Sequence, residues 1–153
     1  MNASPRLTDR DAELLAALTE SSGRRVRLRD LVHDYDWVNR AIPTFDELSY
    51  GMQRLVAAGF ASVSSARGKE LEFQATHDAV GLRKSISGHP TSRIAAAIDV
   101  NHEGEDRSLG RLAGLTQEAF QEAVRAHSSW VERWSGPFVA LARVLSWWQR
   151  RHP

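Results

Sequence analysis

Phe45 to Ala75 reads FDELSYGMQRLVAAGFASVSSARGKELEFQA, and the reading of this stretch decides the fold. Thr44 just ahead of it and Glu47 within it have the spacing of a capping box: the hydroxyl accepts the N3 amide while the carboxylate accepts the cap's own amide. Leu48, Met52 and Leu55 then recur at steps of four and three, which places them on one apolar face of a helix. Gly59 stands where a left-handed C′ residue ends such a helix. Beyond it, Ala61-Ser62-Val63-Ser64 and Leu71-Glu72-Phe73-Gln74 alternate apolar with polar, the period of half-buried strands. Ala66-Arg67-Gly68-Lys69 between them is hairpin chemistry. The stretch therefore predicts a helix, a glycine stop and a two-stranded hairpin.

Working outward, the N-terminal flank predicts two more helices. Thr8 and Asp11 form a second capping box, Leu14, Leu15, Ala17 and Leu18 supply a buried face, and Gly23 ends the element. Val26-Arg27-Leu28 is a short alternating segment, expected as an edge strand beside the hairpin. A helix from about Arg29 to Asn39 follows, with Leu31, Val32, Tyr35 and Val38 inward. Pro43 marks the turn into the third helix. On the other flank Thr76 caps a fourth helix carrying Val80, Leu82 and Ile86. Ser87-Gly88-His89-Pro90 is the best internal boundary. Thr91 is expected to cap a short helix through Ile98, and Asn101 to Gly110 reads as an acidic loop. Thr116 then caps a long helix, Ser135-Gly136-Pro137 breaks it, and a last helix follows, which makes a C-terminal helical hairpin.

The fold class expected is mainly α with a small β-hairpin (α+β). It divides into residues 1–86, a connecting helix and loop over 87–115, and the hairpin over 116–153. The order of elements, with Leu48, Leu55, Val56, Ala58-Gly59-Phe60, Val63 and then Phe73 to Ala79, resembles the winged helix-turn-helix superfamily, closest to bacterial regulators of the MarR and PadR kind. The likeness covers residues 7–86. It implies a DNA-binding transcriptional regulator that dimerises through terminal helices and reads double-stranded DNA with the third helix and the wing. The same fold also serves as a pure interaction module. A non-enzymatic module that joins a partner protein in a larger assembly, without binding DNA, is therefore the rival expectation.

Totals narrow the options. The 153 residues include no cysteine, which removes disulfides, thiolate chemistry and Cys-ligated zinc. Twenty Lys and Arg against nineteen Asp and Glu leave a net charge of +1. Residues 1–88 hold twelve basic and twelve acidic side chains. Any grip on DNA must therefore come from how charges are placed, since a DNA binder normally carries a basic surplus. Polar residues soon after Met1 argue against a signal peptide, and Phe138 to Trp148 is too short to span a bilayer, so a cytoplasmic protein with no membrane partner is expected.

Candidate site residues follow from these placements. The outward side of the third helix is expected to present Asp46, Ser49, Tyr50, Gln53 and Arg54; of these, Ser49, Tyr50, Gln53 and Arg54 are the candidate base readers. Asp46 and Glu47 at its leading end favour the helix N-terminus but repel phosphate. Alternation would send Arg25, Arg27 and Arg29 to one side as a phosphate strip, or as a charged edge that blocks aggregation. Arg67 and Lys69 sit at the wing tip, in reach of DNA backbone. Phe120, Val124, Val131, Trp134, Phe138, Leu141, Leu145, Trp147 and Trp148 are the candidate dimer or partner surface, or the cover of the first domain within one chain. Gly51 is expected to mark a close helix approach, and His127 to be a hydrogen-bonded core histidine. His102-Glu103-Gly104-Glu105-Asp106 lacks hydrolytic zinc spacing and reads as an acidic loop; His33, Asp34 and Asp36 could bind a hard cation, but two of them read as solvating a helix surface. No metal, cofactor or catalytic residue is expected, because no nucleophile elbow, phosphate loop or spaced carboxylate pair occurs.

Overall fold

The computed structural model describes residues 5–66, 70–98, 100, 108–131 and 133. They are mainly helical with a small three-stranded antiparallel sheet. The order is α1 (Asp9–Glu20), β1 (Val26–Arg27), α2 (Leu28–Asn39), α3 (Phe45–Ala57), β2 (Ala61–Ala66), β3 (Glu70–Ala75), α4 (His77–Ser85) and α5 (Pro90–Ala97). A further helix, α6, covers 117–131. The sheet order is β1-β3-β2, with Val26 opposite Phe73 and Val63 opposite the other side of Phe73. Phe73 is fully buried, so one aromatic ring anchors all three strands to the helices.

Local chemistry sets the ends of these elements. Thr8 caps α1 and Thr44 caps α3, each with a complete capping box closed by Asp11 and Glu47. At the far end of α3 the amide of Phe60 bonds the Leu55 carbonyl at 2.9 Å and the amide of Gly59 bonds the Val56 carbonyl at 3.1 Å. That pair of bonds is the Schellman stop, and it requires the left-handed conformation that Gly59 adopts at φ +80. Thr76 caps α4 as its spacing predicts. The fifth helix departs from expectation. Its cap is His89 with Pro90 in the first turn, and the Thr91 hydroxyl instead donates to Asn39 Oδ1 at 2.9 Å. Pro90 supplies the helical φ already, which frees Thr91 to tie α5 to α2.

The first helix is the axle of the core. Ala12 and every residue from Leu14 to Leu18 are buried, the pattern of a helix enclosed on all sides. It packs against α2, α3, α4, α5 and β3. Ile94, Leu112, Leu115, Phe120 and Ala123 join the same apolar cluster, so the turn at residues 87–90 redirects the chain without dividing the core.

Two contacts fix α3 on α1. An ideal Cβ built on Gly51 would stand 2.4 Å from Leu14 Cδ1 and 2.8 Å from Asp11 Oδ1, so the close approach expected at Gly51 is with α1. One turn on, Arg54 grips Asp11: Nε donates to Oδ2 and Nη2 to Oδ1, both at 2.8 Å, with both side chains essentially without solvent exposure. Asp11 Oδ2 also accepts the Thr8 amide at 2.8 Å. A buried bidentate pair of this kind is strongly destabilising to break from one side, because the partner is left charged and dry.

Two stability changes are expected. Gly51→Ala adds about 1 kcal/mol of helix propensity but overpacks against Leu14 and Asp11 at about 1–3 kcal/mol, so its thermal midpoint should fall; a rise would overturn this packing. Arg54→Ala should lower unfolding free energy in urea by about 3–5 kcal/mol, whereas a surface arginine would leave it nearly unchanged.

Candidate functional site

The outer face of α3 is the surface on which the expected activity turns, and its leading half is already occupied. Ser49 and Arg54 do not point outward. Both are fully buried, Arg54 by its pairing with Asp11 and Ser49 under the segment that precedes α6. The buried side of α3 spans Leu48, Ser49, Gly51, Met52, Arg54 and Leu55. It is therefore wider than the Leu48-Met52-Leu55 stripe, since α1 covers one flank and residues 111–120 the other. Of the candidate readers, Tyr50 and Gln53 remain half-exposed.

Residues 111 to 120 lie across the leading half of this face as a strap. Arg111 Nη2 donates to Asp46 Oδ1 at 2.8 Å, and its guanidinium carbon lies 5.4 Å from the centre of the Phe45 ring and 5.7 Å from that of Tyr50. The Leu112 amide donates to Ser49 Oγ at 3.1 Å and to the Ser49 carbonyl at 3.2 Å, while the Leu112 side chain is buried. Gly110 at φ +73 and Gly114 at φ +82 flank this clip, each in a conformation that side chains resist. Phe120 then meets Phe45 with ring centres 5.9 Å apart. The acidic lead of α3, expected to meet phosphate, meets an arginine of the same chain.

The basic strip does not form either. The edge strand β1 is two residues long and Arg29 already belongs to α2, so strand alternation cannot align all three arginines. Arg25 lies 3.7 Å from Glu72 and Arg27 lies 3.6 Å from Glu70, both across β3, while Arg29 lies 3.5 Å from Asp30. Each cation has an adjacent carboxylate. These are exposed pairs, worth about 0–1 kcal/mol each, but they offset the positive potential where phosphate would sit. Arg67 and Lys69 lie outside the described residues.

On the expected partner surface, Phe120 is buried and Val124 packs against the core. The chain's own fold uses these two. Val131 is partly exposed and Trp130 more so, while Trp134, Phe138, Leu141, Leu145, Trp147 and Trp148 lie outside the described residues. His127 is buried as expected, with Nε2 3.0 Å from Asp36 Oδ2 and, among the described residues, no hydrogen-bond partner for Nδ1. Its ring and that of Trp130 face His33, at 5.4 Å and 4.7 Å between centres. Here α2 and α6 enclose a cleft of about 480 Å³ that includes Arg29, Asp30 and Ser129. A broader cleft of about 830 Å³ separates Leu28 and Leu71 from Leu115, Ala119 and Ala123.

Among the described residues three groups are displaced from their ordinary ionisation, all on α1 or α2. The Arg10 guanidinium is held more firmly protonated by its hydrogen bond to Glu13. Burial and then the hydrogen bond to Glu13 push the Tyr35 hydroxyl up, and burial raises the Asp34 carboxyl. Among the described residues no cluster of three His, Cys, Asp or Glu stands ready for a metal ion, and no helix is long and apolar enough to cross a membrane.

Sequence reasoning passed over Arg111 and Leu112 because they fall in the connecting segment. The signal was present in Leu109-Gly110-Arg111-Leu112-Ala113-Gly114-Leu115, where apolar residues recur between two glycines directly after a polar tract. Compared with known proteins, the chain matches no family model, no curated protein and no solved structure.

The cis packing of α6 has a measurable consequence. Phe120→Ala should cost about 3 kcal/mol in the unfolding of the chain at any protein concentration. A loss that appears only at concentrations where copies associate would assign Phe120 to an intermolecular contact instead.

Proposed function

We propose that this chain is a non-enzymatic winged-helix module that works by contacting other proteins and does not read DNA with its third helix. A three-stranded sheet of order β1-β3-β2 behind three helices, with a hairpin directly after α3, supports the winged-helix reading. The observation that carries the functional choice is the strap. A recognition helix must offer its outer side chains to base edges in a groove about 12 Å wide, and Arg111, Leu112 and Phe120 already lie on the leading half of α3.

The charge pattern supports the same choice. Half or more of a protein's hydrogen bonds to DNA go to phosphates and sugars. Here Arg25, Arg27 and Arg29 are each paired with an acid, and the sum over residues 1–88 is zero. The regulator reading, dimeric and acting on double-stranded DNA, keeps one favourable observation: Tyr50 and Gln53 on α3 are half-exposed.

The two readings separate in a fluorescence-anisotropy titration with mixed-sequence duplex DNA at low salt. The interaction module is expected to show no salt-sensitive binding at micromolar protein. Binding that weakens steeply with added salt would restore the regulator.

A further inference from the structure

The leading half of the outer face of α3 holds an arginine of the same chain against a carboxylate and two rings. Asp46 supplies a carboxylate 2.8 Å from the Arg111 guanidinium, and Phe45 and Tyr50 supply two ring faces within 6 Å of it. Carboxylate and rings together recognise a flat delocalised cation and serve an ammonium less well. Directly beside them, the hydroxyl and carbonyl of Ser49 accept the Leu112 amide, and the Leu112 side chain is buried. These contacts together fit an arginine followed by a large apolar residue.

We infer that the Arg111-Leu112 strap is an internal ligand, which yields the α3 face to a partner protein's segment presenting an exposed arginine followed by a bulky apolar residue. This deepens the interaction-module reading and rests on it. Three features support exchange. Arg111 is more than half exposed, with a side-chain exposure of 55 %, so its ion pair and ring contacts are of the weak, solvated kind. The clip is bounded by Gly110 and Gly114, whose positive φ angles a side chain would resist. Finally, the strap covers only the leading half of the face. Gln53 and Val56 are half-exposed and Ala57 is exposed further along α3, which gives a longer incoming segment contacts that the strap lacks. A ligand shifts an equilibrium only by such a difference in contacts.

A fluorescein-labelled peptide with the sequence of residues 109–117, LGRLAGLTQ, tests the inference on the full chain. The tethered strap competes at an effective concentration on the order of millimolar, so the wild-type chain should bind this peptide weakly. Arg111→Ala weakens the competitor and should bind it about tenfold more tightly, and Arg111→Gln should do likewise. Adding Asp46→Asn to Arg111→Ala should remove the gain, and a peptide whose arginine is replaced by alanine should not bind. In the wild-type chain at millimolar peptide, hydrogen exchange at the Leu112 amide should speed up at least tenfold as the strap leaves Ser49. Equal binding by the wild-type and variant chains, or unchanged Leu112 exchange, overturns the internal-ligand assignment. Titrating the same variants with duplex DNA separates failure of the internal ligand from failure of the proposed function. Salt-sensitive DNA binding gained in Arg111→Ala would make the strap a cover over a DNA-reading helix and would overturn the proposed function itself. A variant that binds neither DNA nor peptide overturns only the inference.

Discussion

The third helix is fixed on the first by one buried ion pair. Asp11 closes the capping box of α1 and, with the same carboxylate, holds Arg54 of α3 through two bonds of 2.8 Å. Neither side chain sees solvent. Such a pair contributes little net stability over a matched apolar pair, because its desolvation offsets its attraction. What it supplies is register. With Gly51 pressed against Leu14 and Arg54 clamped by Asp11, α3 can neither slide nor roll on α1, and the direction in which Tyr50 and Gln53 point is thereby set. The first helix thus determines which side of the third helix is left for contact.

Much of this architecture is legible in the residues. Both capping boxes, the glycine stop after α3, the edge strand and the hairpin follow from short-range chemistry, where a few neighbouring side chains decide the backbone. Thr44 and Glu47 need only each other, and Gly59 needs only its freedom at positive φ. The close approach at Gly51 was legible for a related reason: a glycine inside a helix carries a propensity penalty that something must offset.

What the sequence conceals is long-range pairing. Arg54 lies next to the outward side of α3 by helical phase alone, and only the presence of Asp11, 43 positions away, turns it inward. Arg25 and Arg27 read as a phosphate strip until β3 brings Glu72 and Glu70 alongside. Phe120 and Val124 read as a stripe that a second copy or the chain's own first domain could cover, and only the folded chain shows them packed on its own core. In each case the residue type was identified correctly and its partner was not, because an alternating or helical period gives a face and says nothing of what covers it. The strap is the extreme case. Arg111 and Leu112 follow no helical or alternating period, and the glycine-bounded apolar tract that holds them does not say what it covers.

The strap also bears on the order in which the molecule is assembled. Its amide contact joins residues 63 positions apart in the chain, whereas the capping boxes join residues three apart. Loop-closure entropy must be met before a distant contact gives anything back. The packing of α3 on α1, whose Arg54–Asp11 contact spans 43 positions, can therefore form while the strap is still loose. A chain emerging from the ribosome presents the α3 face before residues 111–120 exist to cover it, so a co-translational encounter meets no competitor.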